Sequence, residues 1–136
     1  MPKFEKSERL CSKLAIENTF LKGESFYNFP LKIIYLKTNN DLNESQVQAA
    51  FVVPKRIFKK AVDRNRIKRQ MKEVYRLNKE TLYKALEGKN IKLNILIIYN
   101  NKNIITYWTL NKKIKVILQQ LIDRLNKSQV LSDDNN

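Results

Sequence analysis

The chain is 136 residues long, a single-domain length, and its 43% hydrophobic content is enough for a packed core. It carries 27 Lys and Arg against 13 Asp and Glu, a formal net charge of +14, which points first to a polyanionic partner. With no histidine, two glycines and one cysteine, it excludes His-based acid–base catalysis, most zinc sites, a glycine-rich phosphate loop and an intramolecular disulfide.

Residues 1–12 read as a charged, partly extended lead-in with no apolar core of a secretory signal. Cys11, the lone cysteine, reads as a small buried or half-buried hydrophobe, and its solitude fits a reducing cytoplasm. Residues 13–22 predict a short helix, with Ser12 as N-cap, Gly23 as its stop, and Ile16 and Phe20 one turn apart. Residues 24–30 are aromatic and read as irregular. Residues 31–38 (LKIIYLKT) have strand character, 39–45 form a polar turn, and 46–53 (QVQAAFVV) are a second strand that Pro54 ends.

The segment 58–78 is the most distinctive. On a helical period Ile67, Met71, Val74 and Tyr75 form one apolar stripe, continued by Leu82. The opposite arc holds Asn65, Lys68, Arg69, Lys72 and Arg76, flanked by Arg64 and Arg66. Residues 55–76 contain ten Lys and Arg against Asp63 and Glu73 alone, a net +8. An ordinary solvated helix face alternates sign to gain i,i+4 pairs, so this one is built for phosphate. The helix is expected to run on to about Leu86, with Gly88 stopping it. Residues 91–99 (IKLNILIIY) alternate and then become continuously apolar, as a central strand does. An Asn-rich connection follows over 100–109. Ile114, Ile117, Leu118, Leu121, Ile122 and Leu125 then define a final amphipathic helix. Residues 128–136 are expected to be a disordered polar, acidic tail, leaving 1–127 as one domain. The element order predicts an α+β sandwich, a mostly antiparallel sheet of about four strands packed with helices.

No run of about 18 apolar residues is present, so no membrane span is expected. The carboxylates are scattered, and the one adjacent pair, Asp133 and Asp134, lies in the tail, which argues against a two-metal nuclease. Nothing suggests a helix-turn-helix pair. Aromatics are frequent, and most read as core. Phe20, with Tyr35 or Phe51 on nearby strands, is placed to line a groove on which unpaired bases stack, with Lys55 and Arg56 supplying charge at its end.

The stretch Arg64-Asn65-Arg66 followed by Ile67-Lys68-Arg69, entered from Lys55-Arg56, resembles the protein subunit of bacterial ribonuclease P. Arg9-Leu10 and the first helix ending in Phe20 and Gly23 resemble that family's N-terminal segment, so the likeness spans roughly residues 8–126. It implies an α/β sandwich with a left-handed βαβ crossover, of the kind found in a ribosomal protein domain. It also implies a function: an accessory, non-catalytic subunit that assists a catalytic RNA in removing the 5′ leader from precursor tRNA, with Mg²⁺ used by the RNA and no cofactor, metal or obligate protein partner of its own. By the same resemblance Arg64, Asn65, Arg66, Lys68, Arg69 and Lys72 contact the ribonuclease P RNA. The leader lies in the cleft between the first helix and the sheet, where Phe20 matches a family aromatic and Ile16 stands where an aromatic is often found. Two other classes compete: a stand-alone RNA-binding module of ribosomal type, and a nuclease acting without RNA.

Overall fold

The computed structural model describes residues 3–38 and 45–134, the last seven of these by backbone alone. After a 3-10 turn at Lys6–Glu8 come helix α1 (Lys13–Lys22), strands β1 (Glu24–Asn28), β2 (Leu31–Thr38) and β3 (Val47–Val52), helices α2 (Ala61–Asn78) and α3 (Glu80–Leu86), strand β4 (Lys92–Tyr99) and helix α4 (Tyr107–Asp134). The sheet order is β1-β2-β4-β3. β1 with β2 and β2 with β4 run antiparallel, while β3 lies parallel to β4. A parallel neighbour requires a crossover, and α2 with α3 makes it. The fold is the expected α+β sandwich, with β4 central.

Side chains alternate across the strands, so one sheet face carries Ile33, Tyr35, Ala49, Phe51, Ile95 and Ile97, and the other carries Ile34, Ala50, Leu96 and Ile98. The first face meets α2, α3 and α4 in the main core. There α2 contributes Ile67, Met71, Val74 and Tyr75, and α4 contributes Ile114, Ile117, Leu118, Leu121, Ile122 and Leu125, the residues their spacing predicts. Among the described residues the second face is covered by α1, lying over β2 and β4, and by Leu10 before it, and there Leu10, Ile34 and Leu96 form a small second core.

Helix α1 begins and ends as its caps predict. The Ser12 hydroxyl accepts from the Ala15 amide at 3.2 Å, and the Gly23 amide donates to the Thr19 carbonyl. Gly23 is needed for space rather than for its φ of −71°. A Cβ there would sit 2.5 Å from the Thr19 carbonyl oxygen and 2.7 Å from Ile34 Cγ2.

Five expectations change. Residues 24–28 are strand β1 rather than irregular: with Glu24 opposite Tyr35 and Phe26 opposite Ile33, this edge strand needs only one inward side chain, the buried Phe26. The basic helix ends at Asn78 and a separate helix starts at Glu80, because the buried Lys79 is drawn inward to an acidic partner at the joint. Helix α4 starts at Tyr107, inside the expected connection, with the Thr106 hydroxyl accepting from the Thr109 amide. Its backbone also stays helical to Asp134, into the expected tail; a helix already packed through Leu125 propagates at one hydrogen bond per residue. Cys11 is exposed, since Leu10 takes the inward position beside it. The expected turn over 39–45, apart from Ser45, and residues 135–136 lie outside the described residues.

Candidate nucleic-acid interface

Helix α2 divides its surface as its sequence does. While Ile67, Met71, Val74 and Tyr75 are buried, Asn65, Arg66, Arg69 and Lys72 are exposed and Arg64 and Lys68 half-buried. Asn65, Arg66, Lys68, Arg69 and Lys72 therefore lie off the buried stripe, whereas Arg64 falls beside it. Arg64 has a second task. Its Nη1 donates to the carbonyl oxygens of Phe58 at 2.8 Å and Lys59 at 2.9 Å, fixing the segment that enters the helix. This contact does not cap the helix: a guanidinium only donates, and Lys60 at the cap position makes no side-chain bond to the first-turn amides.

The N-terminal segment enlarges this face. Lys3, Phe4 and Arg9 stand across from Arg69, Lys72 and Arg76, enclosing an open cavity of about 640 Å³. The Arg9 guanidinium lies 5.7 Å from the centre of the Phe4 ring, and Phe4 itself packs edge-on against Phe51 and Tyr75. Glu73 is the one acidic residue lining the cavity, and Arg76 grips it through both carboxylate oxygens at 2.6 and 3.0 Å. The Arg76 guanidinium holds the Glu73 carboxyl below its ordinary pKa, so the pair stays ionised and neutral as a unit. Sequence reasoning missed Lys3, Phe4 and Arg9 as part of this face. No periodicity links an extended N-terminus to a helix 60 residues on; only the Arg9-Leu10 likeness pointed there.

On the other side of the sheet lies the face covered by α1, where the leader groove is expected. Ile16 is half-buried against the cluster of Leu10, Ile34 and Leu96, and Phe20, one turn on, is 46% exposed. Lys55 and Arg56 are exposed just past the end of β3. Two expected groove residues are not there. Tyr35 and Phe51 fall on the opposite sheet face, where Tyr35 packs edge-on against Phe26 and donates its hydroxyl to Glu24 at 2.7 Å, and Phe51 stacks edge-on against Tyr75 at 5.5 Å. Burial, with Glu24 beside it, raises the Tyr35 pKa. The strand period of two decides this: Ile34 and Ala50, their neighbours, are the residues that face α1.

Among the described residues no three His, Cys, Asp or Glu side chains come together as metal ligands, and no helix is long and apolar enough to cross a membrane. A strongly cationic helix mounted on an α+β sandwich marks a nucleic-acid-binding protein. The comparisons agree. The family model described as Ribonuclease P matches residues 4–122, and the chain belongs to the ribonuclease P protein family. It is 27% identical to the "Ribonuclease P protein component" of Porphyromonas gingivalis over 94% of this chain and 93% of that one. It is 30% identical to that of Chlorobium phaeobacteroides over 85% and 86%. The fold is similar to that of the ribonuclease P protein from Thermotoga maritima (TM-score 0.64, 24% identity, 83% of this chain and 96% of that one). It is likewise similar to that from Staphylococcus aureus (TM-score 0.63, 19% identity, 85% and 96%). The family supplies the protein component of the ribonucleoprotein endonuclease that matures the 5′ end of tRNA, and the ribonuclease P RNA is its partner.

Proposed function

We propose that this protein docks on the ribonuclease P RNA through the exposed side of α2 and holds the 5′ leader of precursor tRNA in the groove beside α1. The observation that carries the reading is the segregation of charge: Asn65, Arg66, Lys68, Arg69 and Lys72 lie off the buried stripe of α2, and Arg69 and Lys72 line an open cavity with Lys3 and Arg9. Two RNAs repel each other, and a face of this kind lowers that repulsion by replacing condensed counterions. The groove, with Ile16 inside, Phe20 at the rim and Lys55 and Arg56 at one end, suits an unpaired strand held without reading its sequence.

In this reading the protein supplies no reacting group. In it Mg²⁺ is used by the RNA subunit. Residues 1–127 act as one domain in the cytoplasm, and removing 128–136 leaves processing intact. The test is cleavage of a precursor tRNA at low Mg²⁺ with the purified protein, a bacterial ribonuclease P RNA, or both. Cleavage that requires both supports the reading. No gain over RNA alone favours a stand-alone RNA-binding module, and cleavage by the protein alone overturns the accessory role.

A further inference from the structure

Two of the most exposed aromatic rings of the protein lie outside both surfaces described so far. Tyr27, 50% exposed near the end of β1, and Phe29, 57% exposed in the turn after it, have ring centres 6.4 Å apart with planes tilted by 53°. They form one wall of an open concavity of about 450 Å³ at the end of the sheet. The other wall is the segment after β4, with Asn100, Asn101, Lys102 and Asn103, and Arg56 closes the rim.

Three physical features belong to this place together. The rings have no partner on their outer faces, although exposed Phe and Tyr side by side are unfavourable in water unless something covers them. The lining includes two cations and no acidic residue, so its charge suits a phosphate. Asn100, Asn101 and Asn103 bring donors and acceptors that can meet a base edge, with Asn101 Oδ1 taken by the Asn103 amide and Asn100 Nδ2 at 3.5 Å from the Tyr27 hydroxyl. The Asn wall is also held in shape. The buried Tyr99 hydroxyl donates to the Asn103 carbonyl at 2.5 Å and accepts from the Ile105 amide at 3.1 Å, while the Asn103 amide donates to Asn101 Oδ1. A ligand would therefore meet a formed site rather than order a loop.

We propose that this concavity holds one unpaired nucleotide of the precursor tRNA leader, its base stacked on Phe29 or Tyr27 and its phosphate on Arg56, a placement that rests on the leader lying in the α1 groove. Continuity supports that occupant. The register sets Tyr27 opposite Lys32, Lys32 opposite Ile98 and Ile98 opposite Val52, a row across the sheet on the α1 side. Ile98 also packs in the α1 cluster with Ile16. A strand leaving the groove along this row passes from an apolar floor, over Lys32, to the aromatic pair. A base already paired and stacked in a duplex has no free face for these rings, so the site selects single strands.

The experiment uses the holoenzyme reconstituted with the RNA subunit. It measures equilibrium binding of precursor tRNA with long leaders, precursor with progressively shortened leaders, and mature tRNA, for wild type, Phe20→Ala and the double variant Tyr27→Ala with Phe29→Ala. The double variant is expected to lose on the order of tenfold in affinity for long leaders. It should retain wild-type affinity for the shortest leader, for mature tRNA and for the RNA subunit. Phe29→Tyr, which keeps a ring, should bind as wild type does. An equal loss on mature tRNA, or a loss of RNA-subunit affinity, would assign the site to the RNA subunit and overturn the proposal, and so would no loss at all. If Phe20→Ala is without effect while the double variant still discriminates long leaders, the groove reading fails and this site stands. Because both rings are exposed, the variant's unfolding midpoint should match wild type; a lowered midpoint with equal losses on every RNA would make the pair structural and the proposal wrong.

Discussion

The Lys79 ammonium and the Glu8 carboxylate, 71 residues apart in the chain, form a buried ion pair where α2 ends and α3 begins. The Tyr83 hydroxyl donates to the same carboxylate oxygen at 2.6 Å, and the Lys79 ammonium also donates to the Lys3 carbonyl. The pair thus fastens the N-terminal wall of the basic cavity to the helix that forms its other side. Replacing Lys79 with Met would leave the buried carboxylate with only the Tyr83 hydroxyl and the Glu5 amide and no counter-charge, with an expected loss of about 3 kcal/mol in urea unfolding.

The same pair sets an acid limit. Burial raises the Glu8 pKa, but the hydrogen bonds from Lys79 and Tyr83 more than offset it, leaving it below its ordinary value of 4.5. A carboxyl depressed in the folded state binds its proton more readily when unfolded, so its contribution is fully present above pH 4.5 and is lost as pH falls through the lower folded value. Stability measured by denaturant titration between pH 6 and about 3 should fall more steeply in wild type than in Glu8→Gln. Parallel curves would mean the pair contributes nothing to folding.

On α2, the cations divide into two kinds. Replacing Arg66, Arg69 and Lys72 with Ala should leave the unfolding midpoint unchanged. It should weaken binding to the RNA subunit, with the slope of log affinity against log salt shrinking by about 0.7 to 0.9 per lost phosphate contact. Arg64→Ala should do this and also lower stability, because its guanidinium holds the Phe58 and Lys59 carbonyls. An unchanged salt slope in the triple variant would move the RNA face elsewhere.

The two sheet faces give opposite expectations for aromatics of the same size. Phe20→Ala should weaken binding of leader-bearing precursor by on the order of tenfold and spare mature tRNA, with little change in stability. Phe51→Ala should instead cost about 3 kcal/mol of stability, since its ring is enclosed by Phe4 and Tyr75. Comparing the two by thermal unfolding and by tRNA binding separates groove from core.

Gly23→Ala is expected to destabilise the protein by at least 1 kcal/mol, although its backbone angles are open to any residue. The added methyl would collide with the Thr19 carbonyl, Ile34 and the Tyr35 carbonyl oxygen at 2.9 Å, prising α1 off the sheet. A variant of wild-type stability in a chemical unfolding series would show that α1 sits there with room to spare.

Much of this architecture is legible in the residues themselves. The stripe Ile67, Met71, Val74 and Tyr75 announces α2, and Ser12 with Gly23 brackets α1, because helix faces and caps are local properties. Tyr35 and Phe51 show the limit. Their chemistry suits a stacking groove as well as a core, and only strand pairing decides which face each takes. Lys79 shows another: within a positive run nothing marks one lysine as the inward one until Glu8 is folded against it. Tyr27 and Phe29 belong to a segment whose strand character is hidden by a single inward residue, so their exposure follows from pairing with β2 and not from composition.

The outer edge of β3 has its own guard. Arg9 bridges Ala49 in parallel, and the Leu10 amide donates to the Ala49 carbonyl at 2.9 Å, occupying backbone groups that would otherwise face outward. An open strand edge invites another chain to add to it. A protein shortened to begin after Leu10 would therefore present β3 as a template for self-association and, with Glu8 gone and Lys79 left buried without its partner, would aggregate from a destabilised fold.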